Sequence, residues 1–239
     1  MNIDAIQEKA FRISKNRTAV KRKGKWGMVD FHLNIYAPFE YDGIYRMTEG
    51  RASAQKGDKW GFLDASGKEV IPFRYTHVYP FQDGTSIVEQ DDKYGIIDRN
   101  GNELWPCIYD YIGRLKSGQL SVRQSGRYGL YTHDRQEICP FMYEEIFQLS
   151  DDRYLVEYNG YHGLIDLTGK LVVPAVYEDI VVFSDGTYGI YNVCREGLWG
   201  AIDSNGRELI PCQYEILFDV MDAIHEMLNQ STTGSTIEK

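Results

Sequence analysis

A ring followed at once by glycine recurs through this chain at Trp26-Gly27, Trp60-Gly61, Tyr94-Gly95, Tyr128-Gly129, His162-Gly163 and Trp199-Gly200. The first four steps are 34 residues each and the last is 37. A fixed period of this size restricts the fold to an array of small units, each too short to bury an apolar face alone and each leaning on its neighbours. Other positions keep the same register. Proline stands 12 residues after the ring, at Pro38, Pro72, Pro106, Pro140, Pro174 and Pro211. Tyrosine stands 15 after it, at Tyr41, Tyr75, Tyr109, Tyr143, Tyr177 and Tyr214. An aliphatic residue stands 18 after it, at Ile44, Val78, Ile112, Ile146, Ile180 and Leu217. One repeat thus accounts for six of the seven prolines and six of the eighteen tyrosines, so these positions read as framework.

The unit Lys59-Trp60-Gly61-Phe62-Leu63-Asp64, followed by Gly67, Val70-Ile71-Pro72 and Tyr75, resembles the bacterial WG-repeat family of KWG type. Its units run roughly K-W-G-F-I-D-x-x-G-x-x-V-I-P-x-x-Y. The resemblance covers about residues 18–218. It implies a β-rich repeat array and carries little about molecular role.

Local patterning agrees. Segments such as Ser86-Ile87-Val88-Glu89 and Tyr154-Leu155-Val156-Glu157 read as a first strand. A polar turn follows, clearest at Asn159-Gly160, where a tight hairpin needs two positive φ angles. The second strand starts at the ring. Glycine weakens a strand unless some group must approach its backbone closely. The expected group is a ring from a neighbouring strand, with a bound ligand as the alternative. Asp-x-x-Gly at Asp64, Asp98, Asp166 and Asp203 reads as a second turn, the aspartate accepting backbone N–H groups and the glycine turning left-handed. It lacks the alternating oxygen ligands of a calcium loop. Asp30-Phe31-His32-Leu33 and Thr132-His133-Asp134-Arg135 depart from this pattern, and less regular tips are expected there. The third strand is expected to stop at proline, with Tyr and the aliphatic residue on one helical turn beyond it.

The expected architecture is an all-β repeat protein of six units, each of three short antiparallel strands, in a curved open array with short N- and C-terminal capping helices. A six-bladed propeller-like ring is the alternative. Helices at both ends favour the open form, because a ring has no ends to cover, and the unit is shorter than the ~40–45 residues of a four-stranded blade. Residues 1–17 are expected as the N-terminal helix, from the spacing of Ile3, Ile6, Ala10 and Ile13. The repeats fill 18–218. A second helix over 215–230 carries the stripe Leu217, Val220, Met221, Ile224, Met227 and Leu228, read first as a cap and alternatively as a contact between copies of the chain. Residues 231–239 read as a disordered tail. The three extra residues of the last step are expected in the hairpin before Trp199.

Net charge is −9. That disfavours nucleic acid as a partner and speaks against an anionic membrane, since both need a cationic surface, and it favours a cationic protein partner. The run Lys21-Arg22-Lys23-Gly24-Lys25 reads as a solvated hairpin tip. No apolar run is long enough for a secretory signal or a membrane span, so a cytoplasmic location is expected. Cys107, Cys139, Cys194 and Cys212 are widely spaced and lack zinc-site spacing, so they read as reduced, buried fillers. His32, His77, His133, His162 and His225 are scattered, and Glu144-Glu145 and Asp151-Asp152 read as solvated turns. No phosphate loop or nucleophile motif is found.

The sequence therefore points to no catalytic, metal or cofactor residues. The expected function is a non-catalytic protein-interaction scaffold with a partner of basic character, an antitoxin- or immunity-like role being conceivable. The alternative is a glycan- or small-ligand-binding module using exposed aromatics. On that alternative Trp26, Trp60 and Trp199 should be largely exposed; on the first reading they should be buried.

Overall fold

The structure, a computed structural model, describes residues 9–183 and 189–234. It contains six four-stranded sheets, in each of which the strands follow chain order. The first sheet is β1 (Lys9–Ser14), β2 (Arg17–Arg22), β3 (Lys25–Val29) and β4 (Ile35–Tyr41). The second is β5 (Gly43–Thr48), β6 (Arg51–Lys56), β7 (Lys59–Leu63) and β8 (Glu69–Tyr75). The third is β9 (His77–Val78), β10 (Thr85–Gln90), β11 (Lys93–Asp98) and β12 (Glu103–Tyr109). The fourth is β13 (Tyr111–Arg114), β14 (Leu120–Gln124), β15 (Arg127–Tyr131) and β16 (Glu137–Tyr143). The fifth is β17 (Glu145–Gln148), β18 (Arg153–Tyr158), β19 (Tyr161–Asp166) and β20 (Leu171–Tyr177). The sixth is β21 (Asp179–Val182), β22 (Ile190–Arg195), β23 (Leu198–Asp203) and β24 (Glu208–Tyr214), after which comes helix α1 (Leu217–Gly234). The chain divides into two compact units, residues 1–112 and 113–239.

Four strands, not three, make each sheet, and the reason lies just after the repeat tyrosine. The expected helical turn there is absent. The next residue instead gives its N–H to the following sheet: Asp42 to the Gln55 carbonyl, Thr76 to Glu89, Glu144 to Glu157 and Glu178 to Cys194, all at 2.8–2.9 Å. Those bonds start a fresh strand, and the aliphatic residues Ile44, Val78, Ile112, Ile146 and Ile180 are its buried members. Only after Tyr214 does no further hairpin follow, and there the chain turns into α1. A four-stranded unit removes the strand-count ground for preferring an open array to a ring of blades.

The N-terminal helix is also corrected. Residues 9–14 form β1, whose register runs Lys9↔Lys21 to Ser14↔Arg17; residues 1–8 lie outside the described residues. In the first sheet β1 takes the place that the strand after the repeat tyrosine takes in the others. Ile13 is buried among Ala19, Met28 and Ile44, which strand alternation achieves as well as the helical spacing read from the sequence.

Sheets pack face to face through clusters shared by neighbours. In residues 1–112, Met28, Ala37 and Tyr41 meet Ile44, Ala54 and Leu63, and Phe62, Ile71 and Tyr75 meet Val78, Val88 and Ile97. In residues 113–239, Leu130 and Tyr143 meet Ile146 and Ile165, and Leu164 and Val173 meet Ile180 and Tyr191. Each of the larger apolar side chains contributes roughly 1.5–3 kcal/mol when removed from water, and each alanine less. Helix α1 lays Val220 and Ile224 on Phe183, Ala201 and Ile210 of the sixth sheet, with Met221, Met227 and Leu228 alongside. Of the stripe considered for contact between copies, Val220 and Ile224 are buried on the chain's own sheet and the remaining members are half-buried. The helix continues through residue 234, four residues into the expected tail; residues 235–239 lie outside the described residues.

The extra three residues of the last step are not in the hairpin before Trp199. There β22 and β23 are joined by Glu196-Gly197, with Arg195 paired to Leu198, as Gln90 is to Lys93 in the third sheet. The added length falls between β21 and β22, where residues 184–188 lie outside the described residues.

Candidate functional site

The repeat positions assemble into a framework. All six glycines, Gly27, Gly61, Gly95, Gly129, Gly163 and Gly200, are buried. A Cβ built on them would stand 2.9 Å from the Ala37 carbonyl, 2.5 Å from Ile71, 2.8 Å from Trp105, 3.0 Å from Cys139, 2.7 Å from Val173 and 2.6 Å from Ile210. The group that demands glycine is therefore the backbone carbonyl preceding the repeat proline, rather than a ring; at Gly27 and Gly129 the rings of Phe39 and Phe141 crowd in as well. The cause is a bulge. Trp26 pairs with Tyr41 and Met28 with Ala37, so three residues of the outer strand oppose one glycine. The same shift recurs in all six sheets.

The prolines sit inside these bulged outer strands and do not end them. Pro38, Pro72, Pro106, Pro140, Pro174 and Pro211 are all exposed, as befits a residue with no N–H on a strand edge. Tyr41, Tyr75 and Tyr143 are buried, while Tyr109, Tyr177 and Tyr214 are half-buried. The rings Trp26, Trp60, Tyr94, Tyr128, His162 and Trp199 are all half-buried, which matches neither extreme expected of the tryptophans. The departing turns keep the regular shape. Leu33 donates to the Asp30 carbonyl and Arg135 to that of Thr132, as Gly67 does to Asp64. Leu33 and Arg135 adopt φ of 66° and 72° where the other turns use glycine.

Sequence reading missed a set of clamps nine residues before the ring. Arg17 Nε donates to the Ala65 carbonyl at 2.7 Å, Arg51 Nε to Arg99 at 2.9 Å, Gln119 Nε2 to Leu167 at 2.9 Å and Arg153 Nε to Ser204 at 3.1 Å. Each joins a sheet to the Asp-x-x-Gly turn, or its equivalent, of the next. Aligning the units in register would have shown the Arg/Gln column.

Two further columns separate the halves. In residues 1–112 a chain of rings runs along the sheets. Phe11 meets Trp26 with centroids 5.3 Å apart, and Tyr45 meets Trp60 at 5.2 Å. Trp60 meets His77 at 5.3 Å, His77 meets Tyr79 at 5.0 Å, and Tyr94 meets Tyr111 at 5.8 Å. Burial, then the Glu89 charge and the Tyr79 hydroxyl, push the Tyr94 hydroxyl up to about 12. In residues 113–239 the places of Gly43, His77 and Tyr111 are taken by Glu145 and Asp179. Glu145 faces Glu157 directly across β17–β18, with no ion-pair partner for either among the described residues.

Charge divides the same way. Residues 1–112 hold 16 Lys and Arg against 16 Asp and Glu; residues 113–239 hold 10 against 19, so the whole net charge of −9 belongs to the second half. Wherever a carboxylate's affinity for protons is shifted, it is shifted down: Asp42 by its bond to Lys25, Glu49, against the cost of burial, by Arg99, and the turn aspartates by donors within their own turns. The Thr168 hydroxyl leads in lowering Asp166; at Asp98 burial opposes ionisation and the donors Asn102, Asn100 and Gly101 outweigh it. All four cysteines are free, Cys139 and Cys194 buried and Cys107 and Cys212 half-buried. Burial raises each thiol, that of Cys139 to about 11. Among the described residues no cluster of three or more His, Cys, Asp or Glu has the geometry to hold a metal, and no helix is long and apolar enough to cross a membrane.

The family model described as WG containing repeat matches residues 27–60, 60–94, 94–128, 163–198 and 199–220. The chain belongs to this family. The stretch between, from Tyr128 to His162, holds the turn Thr132-His133-Asp134-Arg135 that lacks the Asp-x-x-Gly of most units. No curated protein matches the sequence. Among solved structures, the extracellular domain of the two-component system BT4673 from B. thetaiotaomicron is 10% identical with a TM-score of 0.37, over 85% of this chain and 34% of that one. PorZ, a surface component of the type-IX secretion system of Porphyromonas gingivalis, is 8% identical at TM-score 0.34, over 87% and 32%. Hsv2 of Kluyveromyces lactis is 10% identical at TM-score 0.35, over 82% and 74%. The chain spans about a third of the length of the first two.

Proposed function

We propose that this WG-repeat protein is a non-catalytic scaffold that binds another protein, of cationic character, through residues 113–239. The observation that carries the reading is the facing pair Glu145 and Glu157. Like charges directly opposite on a sheet destabilise it, and a cationic partner would relieve that cost. The concentration of the entire net charge in this half supports the same reading. So does the character of the shifted groups: lowered carboxylates are poor proton donors and raised thiols are poor nucleophiles. Four unpaired thiols are in keeping with a reducing compartment such as the cytosol. The test is capture from native cell lysate on the full chain, at low and at high salt, with the captured protein identified by mass spectrometry. A basic protein released by salt is expected; salt-insensitive capture of an acidic protein contradicts the proposal.

A second reading rests on the chain of half-exposed rings in residues 1–112, which offers stacking faces to a glycan or other small ligand. Saccharide titration of tryptophan fluorescence tests it, with a saturable change at Trp60 expected and a flat response counting against it.

A further inference from the structure

The turn Asp30-Phe31-His32-Leu33 departs from its five counterparts in a costly direction. The equivalent tips carry Ala65-Ser66, Arg99-Asn100, His133-Asp134, Leu167-Thr168 and Ser204-Asn205. Here Phe31 is 82% exposed, Leu33 48% and Ile35 60%. Leu33 also occupies the left-handed conformation, where a side chain with a Cβ is disfavoured. Strain and apolar exposure in one tip mark a contact surface.

The surroundings say what kind. The β1–β2 turn lies at the same end of the antiparallel sheet as this tip, roughly two strand spacings, or ~10 Å, away. It holds Lys15 and is flanked by Arg12 of β1, whose Nη2 donates to the Lys15 carbonyl at 2.8 Å, and by Arg17 of β2, which donates to the Ala65 and Asn16 carbonyls. Arg17 lies 3.5 Å over the Tyr36 ring. Residues 9–29 contain eight Lys and Arg and no acid; Arg12, Lys15 and Arg17 lie at this end of the sheet and the other five at the far end. The carboxylate in the tip itself is turned inward: Asp30 Oδ1 accepts from the His32 and Asn34 backbone N–H groups, and Oδ2 from Asn34 Nδ2, each at 2.9 Å. The side chains project from a convex hairpin rather than line a groove. A projecting apolar tip flanked on one side by cations fits a deformable surface that is apolar beneath and anionic above.

We propose that the 30–35 tip of the first sheet inserts into the interface of an anionic lipid bilayer, with Phe31, Leu33 and Ile35 entering the acyl boundary and Arg12 and Lys15 meeting the head groups. This does not depend on the protein-binding reading, which concerns the other half of the chain.

The experiment is co-sedimentation of the full chain with phosphatidylcholine vesicles, with and without phosphatidylglycerol, for the wild type, Phe31→Ser and Leu33→Gly. The wild type should sediment only with the anionic vesicles, and each variant should partition about tenfold less. Leu33→Gly guards against misfolding, since it removes strain and should melt at the same temperature or higher while still losing the membrane. Failure to sediment with anionic vesicles, equal binding to neutral ones, or undiminished binding by Leu33→Gly overturns the proposal. A tip that binds a soluble protein instead would give the first of these outcomes.

Discussion

Residues 1–112 and 113–239 are built on one plan and present different surfaces. Both press a backbone carbonyl onto each repeat glycine, as at Gly61 and Gly200. Both clamp neighbouring sheets with a long side chain, as at Arg51 and Arg153. They diverge in the column two residues past Tyr75 and Tyr143, where His77 continues a chain of rings in one half and Glu145 faces Glu157 in the other. The framework residues are fixed by contacts every unit must make. The diverging columns lie on half-exposed positions that packing leaves open, and these are where binding can be written.

The largest expected effect tests the shared plan. Gly61→Ala should cost about 3 kcal/mol, because the Ile71 carbonyl at 2.5 Å cannot retreat without disturbing the bulge. Gly200→Ala, at 2.6 Å, should cost nearly as much, and Gly129→Ala, at 3.0 Å, clearly less. Urea unfolding checks the order, and equal costs at all three would break the bulge explanation. Acid comes next. Asp30, Asp64 and Asp98 in the first half and Asp166 in the second all titrate below the ordinary carboxylate value in the folded chain. The unfolded chain then binds more protons near pH ~4, so their stabilisation is complete above that value and is lost as pH falls through the lower folded values. The urea midpoint should be flat from about pH 5 to 7 and drop below about pH 4, less steeply in Asp98→Asn.

Arg153→Ala should cost about 1–2 kcal/mol, and Arg51→Ala somewhat less, because the Arg153 side chain is only 12% exposed. Leu33→Gly and Arg135→Gly, one in each half, should each raise stability by about 1 kcal/mol in thermal melts by relieving the left-handed conformation. The smallest effect separates the halves. Glu157→Gln should stabilise by about 0.3 kcal/mol by removing repulsion from Glu145, whereas Glu89→Gln, opposite His77, should bring no gain.

The repeat and its all-β class were legible because the same sheet recurs in every unit; the prolines, read as ends of strands, instead lie exposed within the outer strands. The fourth strand was not legible. Its marker, one aliphatic residue after tyrosine, fits a helical turn as well as a strand, and the deciding bonds, such as Asp42 N–H to the Gln55 carbonyl, join residues of different units. Strand β1 was hidden for a similar reason: the spacing of Ala10 and Ile13 satisfies a helical period, and only the pairing with β2 selects the strand. The carbonyl over each glycine belongs to the backbone and leaves no side-chain signature. The division of charge between the halves could be read from the sequence, but a single net value conceals it.

The most direct test of the account is capture from native lysate by two proteins. One carries Glu145→Gln, Glu157→Gln and Asp179→Asn; the other carries Trp60→Ala and Tyr79→Ala. If the second half holds the protein-binding face, the first variant should melt no lower than the wild type and lose the captured protein, while the second should keep it. Retention by the charge variant together with loss from the ring variant would contradict the account and move protein recognition to the first half.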